Sequence, residues 1–297
     1  MASLDSDDLR VQVTHTAGST RVLYLPQGAP VEYAHFYLTH RRLVTAGEDH
    51  LVRILPAEAT ASDVNPIVIE DATRPMTWID ADAEYLVTAS EDGAVRLYKH
   101  DSAELIQIIR REVLPVRCVA IESASRRGAL PRTAVCSDEL IVRVVNAADP
   151  RSIVLLTGHS RGVRAASWSP ALPLLLTAGS DGDVRAWDMS ETEPRCVKVL
   201  QNMLPALRPE SEFSSSVVWH PSGAIFAMPL RTQEIALVRA PISAAEMNGE
   251  HVWETVVIFG SASGTTSAEQ KVPSGLVSAL AFCPNGRYLA AATEDMQ

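Results

Sequence analysis

The chain has 297 residues, 46% of them hydrophobic, with a formal net charge of -10 and a mean hydropathy of +0.05. Such a composition describes a soluble globular chain with apolar residues enough for a large core, rather than a disordered or membrane-spanning one. The acid excess argues against general DNA binding, because affinity for nucleic acid rests on Lys and Arg neutralising phosphates.

The opening Met1-Ala2-Ser3-Leu4-Asp5-Ser6-Asp7-Asp8 is acidic and lacks the apolar run of a secretory signal, and no uninterrupted apolar stretch reaches membrane-spanning length. An intracellular protein, cytosolic or nuclear, is expected. His35 and His40 stand beside Tyr33, Phe36 and Tyr37 with no carboxylate at metal-ligand spacing, so an aromatic strand flank is predicted rather than a metal site.

A recurring unit then begins at Leu43–Ile54: apolar residues, a small polar pair, an acidic turn, Val-Arg and further apolar residues. It returns at Leu86–Tyr98, more loosely at Ala134–Val145, and again at Leu175–Asp188. The steps between Arg53, Arg96, Arg143 and Arg185 are 43, 47 and 42 residues, close to the period of a four-stranded propeller blade. Each copy reads as two short β-rich runs around a Gly/Asp turn, a hairpin. A degraded fifth copy covers Ile225–Pro229 and Ile235–Val238, and a sixth starts at Tyr288 and reaches Asp295. Upstream of the hairpins lie candidate innermost strands at Val116–Ile121, Val163–Pro170, Ser216–Pro221 and Val277–Pro284. The last three close on Pro, which cannot donate to a sheet ladder.

The most specific motif is Gly158-His159 followed by Asp181 in a tight turn and then Trp187-Asp188, the signature of a WD40 blade. His159, Asp181 and Trp187, with a Ser or Thr from the second strand, are expected to form a buried hydrogen-bonded chain that fixes strand register. A catalytic His-Asp pair would need a nucleophile and an open pocket, and neither is indicated. The expected fold is therefore an all-β WD40 β-propeller, with about five complete blades and part of a sixth, forming a single domain over residues 1–297 that is incomplete at its C-terminus.

The hairpin turns carry acidic pairs, Glu48-Asp49, Glu91-Asp92, Asp138-Glu139 and Glu294-Asp295. If the second residue of each turns inward, then Glu48, Glu91, Asp138 and Glu294 form a candidate rim for docking basic peptide segments. The plainer reading is that Asp and Glu are soluble turn residues. The pairs Arg41-Arg42, Arg110-Arg111 and Arg126-Arg127 read as solvated loops. Gly260–Ser267 reads as a surface loop, since it lacks the Gly-Lys-Ser/Thr ending of a phosphate cradle. Cys118, Cys136, Cys196 and Cys283 are far apart, with no C-x-x-C pair, and buried free thiols in a reducing compartment are expected. No catalytic residue, cofactor site or metal site is predicted.

From Val142 to Tyr288 the chain resembles the N-terminal propeller of the replisome adaptor acidic nucleoplasmic DNA-binding protein, the chromosome transmission fidelity family. The resemblance rests on Val144–Asp149, Leu176–Trp187, Val218–Gly223 leading into Ile225–Leu230, Trp253, and Leu280–Ala291, with Ala227-Met228-Pro229 in place of the usual small-polar and Asp turn. It implies seven blades, so that this chain would be a fragment. It also implies a nuclear, non-enzymatic scaffold that couples the replicative helicase to DNA polymerase alpha-primase and supports sister-chromatid cohesion. Partners would be replisome proteins, with no membrane, little direct DNA contact and no oligomerisation from this segment alone. A WD40 substrate receptor of a ubiquitin ligase is the alternative; such receptors often carry Arg two positions after Trp-Asp, where this chain has Met189-Ser190.

Overall fold

In a computed structural model of the chain, the described residues are 9–14, 20–25, 31–37, 42–56, 66–122, 130–204, 217–231, 234–247, 252–259, 277–283 and 285–293. They fall into two compact units, residues 1–119 with 124–129 and residues 120–123 with 130–297.

The first unit opens on a hairpin, β1 (Leu9–Thr14) with β2 (Thr20–Leu25), paired antiparallel. Two four-stranded sheets follow in simple meander order. One holds β3 (Val31–Tyr37), β4 (Arg42–Gly47), β5 (Val52–Pro56) and β6 (Ile67–Ile69); the other holds β7 (Met76–Ala81), β8 (Tyr85–Ser90), β9 (Ala94–Lys99) and β10 (Leu105–Arg111). Val44, Ile54, Met76, Ile79, Leu86 and Tyr98 form one buried cluster from both sheets. Middle strands are covered on both faces, so β8 reads as an almost unbroken buried run, whereas β10 exposes Leu105, Ile106 and Ile108.

The boundary between the units falls within β11 (Val116–Ile121), which shares a four-stranded sheet with β12 (Arg132–Ser137), β13 (Ile141–Asn146) and β14 (Asp149–Thr157). Next come the sheet of β15 (Val163–Trp168), β16 (Leu174–Gly179), β17 (Val184–Asp188) and β18 (Arg195–Leu200), and that of β19 (Val218–Trp219), β20 (Ile225–Pro229), β21 (Ile235–Arg239) and β22 (Thr255–Phe259). A two-stranded sheet, β23 (Val277–Phe282) with β24 (Leu289–Thr293), completes the second unit. Leu174, Leu176, Trp219, Phe226, Met228 and Trp253 anchor the largest of its clusters.

The tryptophan ending β15 and the one ending β19 do the same job. Trp168 of β15 donates its indole N–H to Ala120 O of β11 at 3.1 Å, and Trp219 of β19 donates to Ser167 O of β15 at 3.0 Å. Each indole thus finds the polar partner that a buried Trp needs, and ties one sheet to the one before it. Phe282 of β23 has no N–H to give and instead meets the His220 ring edge-on, with centroids 5.2 Å apart.

Three of the hairpin turns share a backbone device as well. The residue after the turn aspartate takes a left-handed conformation: His50 at φ 67°, Gly93 at 75° and Gly182 at 87°. Gly accepts this without strain, whereas His50 pays a steric cost.

Candidate functional site

The fourth-sheet motif builds a closed polar chain. His159 Nδ1 lies 3.0 and 3.1 Å from the two Asp181 carboxylate oxygens, and His159 Nε2 lies 2.9 Å from Thr177 Oγ1. Trp187 donates its indole N–H to the same Thr177 oxygen at 2.9 Å, while Ser160 N and Asp183 N donate to Asp181. The donors and acceptors balance in one way: neutral His159 donates from Nδ1 to Asp181 and accepts the Thr177 hydroxyl at Nε2, which leaves the Thr177 oxygen to accept from Trp187.

The electrostatics agree with that assignment. Burial pushes the His159 pKa down, and the Asp181 charge only partly opposes it. Burial alone would raise the Asp181 carboxyl, but the Ser160 and Asp183 amides and the neighbouring imidazole outweigh it and hold the group below the usual carboxylate value. The side chains of His159 and Asp181 are 1% and 5% exposed. Both ring nitrogens are committed and shut away from solvent, so this His-Asp pair offers no base to a substrate. A Cβ at Gly179 would run into Asp181 Oδ1 and His159 Nδ1, which is the physical reason this position is Gly in the blade that carries the His.

The structure thus brings His159, Asp181 and Trp187 together and supplies Thr177 as the hydroxyl. The other sheets answer the same geometry differently. Strand register aligns Thr177 opposite Arg185, Thr88 opposite Arg96, Thr45 opposite Arg53, and Val135 opposite Arg143. In the second of the four-stranded sheets Ser90 takes the place of Gly179, and its hydroxyl donates to Asp92. Arg96 then donates to Ser90 Oγ at 2.8 Å and to Asp92 at 2.7 Å. Arg53 approaches Asp49 at 2.6 Å without the alignment of a hydrogen bond, and Arg143 donates to Glu139 at 2.6 Å. In the fourth sheet His159 already occupies Asp181, and Arg185 leans toward Asp183 at 3.7 Å. The arginine that made the repeat visible is therefore a turn clamp.

Glu48 and Glu91 are exposed, one on each of two equivalent turns of the first unit. Asp138 is half-buried and faces Arg164 Nη2 at 3.3 Å, so its charge is already matched. Glu294 lies outside the described residues.

Two expectations need correction. All four cysteines are free, but only Cys118 and Cys136 are buried; Cys196 is exposed and Cys283 half-buried. Cys196 lies on an outermost strand, where only one neighbour covers the chain. Arg42 and Arg110-Arg111 sit on strands rather than loops. Arg42 donates to the His100 and Asp101 carbonyls, and Arg110 pairs with Glu112 at 2.7 Å. Arg41, Arg126-Arg127, His40 and Gly260–Ser267 lie outside the described residues, as do the side chains of β1 to β3. A cluster the sequence did not reveal is Arg132: it holds Glu122 through both Nε and Nη2, donates to Met189 O at 3.0 Å, and stacks over Trp168 with its guanidinium carbon 5.0 Å from the ring centre. Trp168 and Met189 lie tens of residues from Arg132, and no local spacing announces the set.

The WD domain, G-beta repeat family matches residues 150–188 and 264–297. Among solved structures, the WD40 β-propeller domain of Doa1 aligns with 98% of this chain and 84% of its own at a TM-score of 0.69 and 12% identity. The fold is a WD40 β-propeller. A chain from the mitotic checkpoint complex aligns over 97% of this propeller chain and 82% of its own at a TM-score of 0.73 and 16% identity. Minichromosome loss protein 1 of Schizosaccharomyces pombe is 29% identical over 214 residues, 72% of this WD40 chain and 24% of that protein. WD repeat and HMG-box DNA-binding protein 1 of Xenopus laevis is 25% identical over 194 residues, 63% of this chain and 16% of that protein. The propeller chain therefore spans about a quarter or less of the length of these two relatives. Among the described residues, no group of three or more His, Cys, Asp or Glu is placed to hold a metal ion.

Proposed function

We propose that this WD40 chain is the propeller part of a nuclear replisome adaptor, a non-enzymatic scaffold that docks replication proteins and supports chromosome maintenance. The observation that carries the reading is the 29% identity to Minichromosome loss protein 1 across 72% of the chain. The weaker likeness to WD repeat and HMG-box DNA-binding protein 1 points the same way. The solved neighbours, at 12% and 16% identity, speak for the fold alone.

The partners proposed are basic peptide segments from helicase or polymerase alpha-primase subunits, met at the exposed acidic turns. Glu48 and Glu91 contribute most, because Asp138 already answers to Arg164. The test is affinity capture from nuclear extract with the chain and with a Glu48→Lys/Glu91→Lys variant. Recovery of helicase and primase subunits by the first and their loss with the second is the expected result. Recovery of ubiquitin-ligase adaptor subunits alone would overturn the reading in favour of a substrate receptor.

A further inference from the structure

The connection from β17 to β18 presents four consecutive exposed residues, Ser190, Glu191, Thr192 and Glu193. We propose that Ser190 is a phosphoacceptor for an acid-directed serine/threonine kinase, and that its phosphate loosens the end of the β17–β18 pair. A kinase whose substrate groove is lined by Lys and Arg reads carboxylates at fixed offsets by charge complementarity. Ser190 has them one and three positions on, in Glu191 and Glu193. Thr45, Thr77, Thr88, Ser180 and Ser243 also stand three residues before a carboxylate, but Thr45 and Thr88 are buried and the other three half-buried. Among the described residues, Ser190 alone combines that spacing with an exposed position.

The consequence follows from what the hydroxyl now does. Ser190 Oγ donates to Asp188 Oδ1 at 2.6 Å, and Ser190 N donates to the same oxygen at 3.0 Å. Arg195 Nη2 donates to Asp188 Oδ2 at 3.0 Å, and Asp188 pairs with Arg195 in the strand register. The Asp188 side chain is 6% exposed, whereas that of Arg195 is 63% exposed. On modification the Ser190 oxygen attacks the γ-phosphorus of ATP, the bond to the bridging oxygen breaks with ADP leaving, and the hydroxyl proton passes to the kinase's base. Asp188 loses one donor and gains a doubly charged neighbour. Arg195, exposed over most of its side chain, swings to the stronger anion and leaves an enclosed carboxylate short of partners. The neighbouring Met189 carbonyl is held by Arg132, so the strain is felt where the third and fourth sheets of the meander series are tied.

The experiment incubates the folded chain with a purified acid-directed kinase and MgATP, maps phosphate by peptide mass spectrometry, and compares Ser190→Ala and Glu193→Gln. A single major phosphate at Ser190 is expected, absent in Ser190→Ala and slowed about tenfold in Glu193→Gln. Phosphate placed mainly elsewhere, or at an equal rate in Glu193→Gln, overturns the site. A peptide spanning residues 185–197 that is modified while the folded chain is not overturns the accessibility argument. The phosphorylated chain should melt about 2–4 °C below the unmodified chain; an unchanged or raised Tm overturns the loosening.

Discussion

The fourth and fifth of the four-stranded sheets occupy neighbouring places in the second unit and solve one packing problem in opposite ways. Where the fourth sets Thr177 opposite Arg185 and Leu175 opposite Trp187, the fifth sets Met228 opposite Ala236 and Phe226 opposite Val238. Thr177, Met228, Phe226 and Ala236 are all fully buried. The fourth sheet joins its strands through a polar chain in which every member is paired. The fifth relies on ring contacts, with Phe226 5.4 Å from Trp219 and 6.4 Å from Trp253. Hydrogen-bonded networks are geometrically demanding and specify register, whereas apolar contacts contribute in proportion to the area removed from water and tolerate exchange of shape. A WD40 sheet can therefore lose its signature entirely and keep its backbone, provided apolar volume fills the place of the network.

Substitutions in the two sheets should differ in cost. The largest effect is expected for Phe226→Ala, a loss of about 3–5 kcal/mol from an emptied ring site, measured by denaturant unfolding. Thr177→Val keeps nearly the same shape but strips His159 Nε2 and the Trp187 indole of their shared partner, and about 2–3 kcal/mol should be lost. Met228→Leu, the volume-conserving change at the equivalent position, should cost less than about 1.5 kcal/mol. If Met228→Leu proves as costly as Thr177→Val, the contrast between demanding and tolerant sheets is wrong.

The smallest effect is a pH dependence contributed by the polar sheet. His159 titrates below its ordinary 6.5 in the folded chain, so between the two values the unfolded chain binds the extra proton. Stability is complete above pH 6.5 and declines as pH falls below it. Asp181 is also depressed from its ordinary 3.8; its contribution is present above that value and is lost at lower pH still. Melting curves between about pH 7.5 and 5.5 should show the first decline in the unsubstituted chain and a shallower one in His159→Asn.

Much of the architecture was legible because a propeller repeats itself. The repeating Val-Arg hairpins fall on β4–β5, β8–β9, β12–β13 and β16–β17, and the degraded fifth on β20–β21. Middle strands are buried on both faces and read as apolar runs that any scan notices. The outermost strands carry no such signal: β10, β14 and β18 are mixed in pattern and partly exposed. The β1–β2 hairpin carries a weaker signal, Leu9, Val11 and Val13 alternating with polar residues in the manner of a half-covered strand.

What the sequence determined by itself was the unit of the fold and the members of its most specific network, since both are set by local spacing: a hairpin length, a Gly at a left-handed turn, a His and a Trp-Asp at fixed offsets. The tertiary structure decided which charges are spent and which are offered. Asp138 meets Arg164, Arg132 meets Glu122 and Trp168, and Arg42 meets the His100 carbonyl. Arg132 and Glu122 meet as neighbours across the β11–β12 hairpin, whereas the other partners come from different sheets and are brought together by packing that no periodicity encodes.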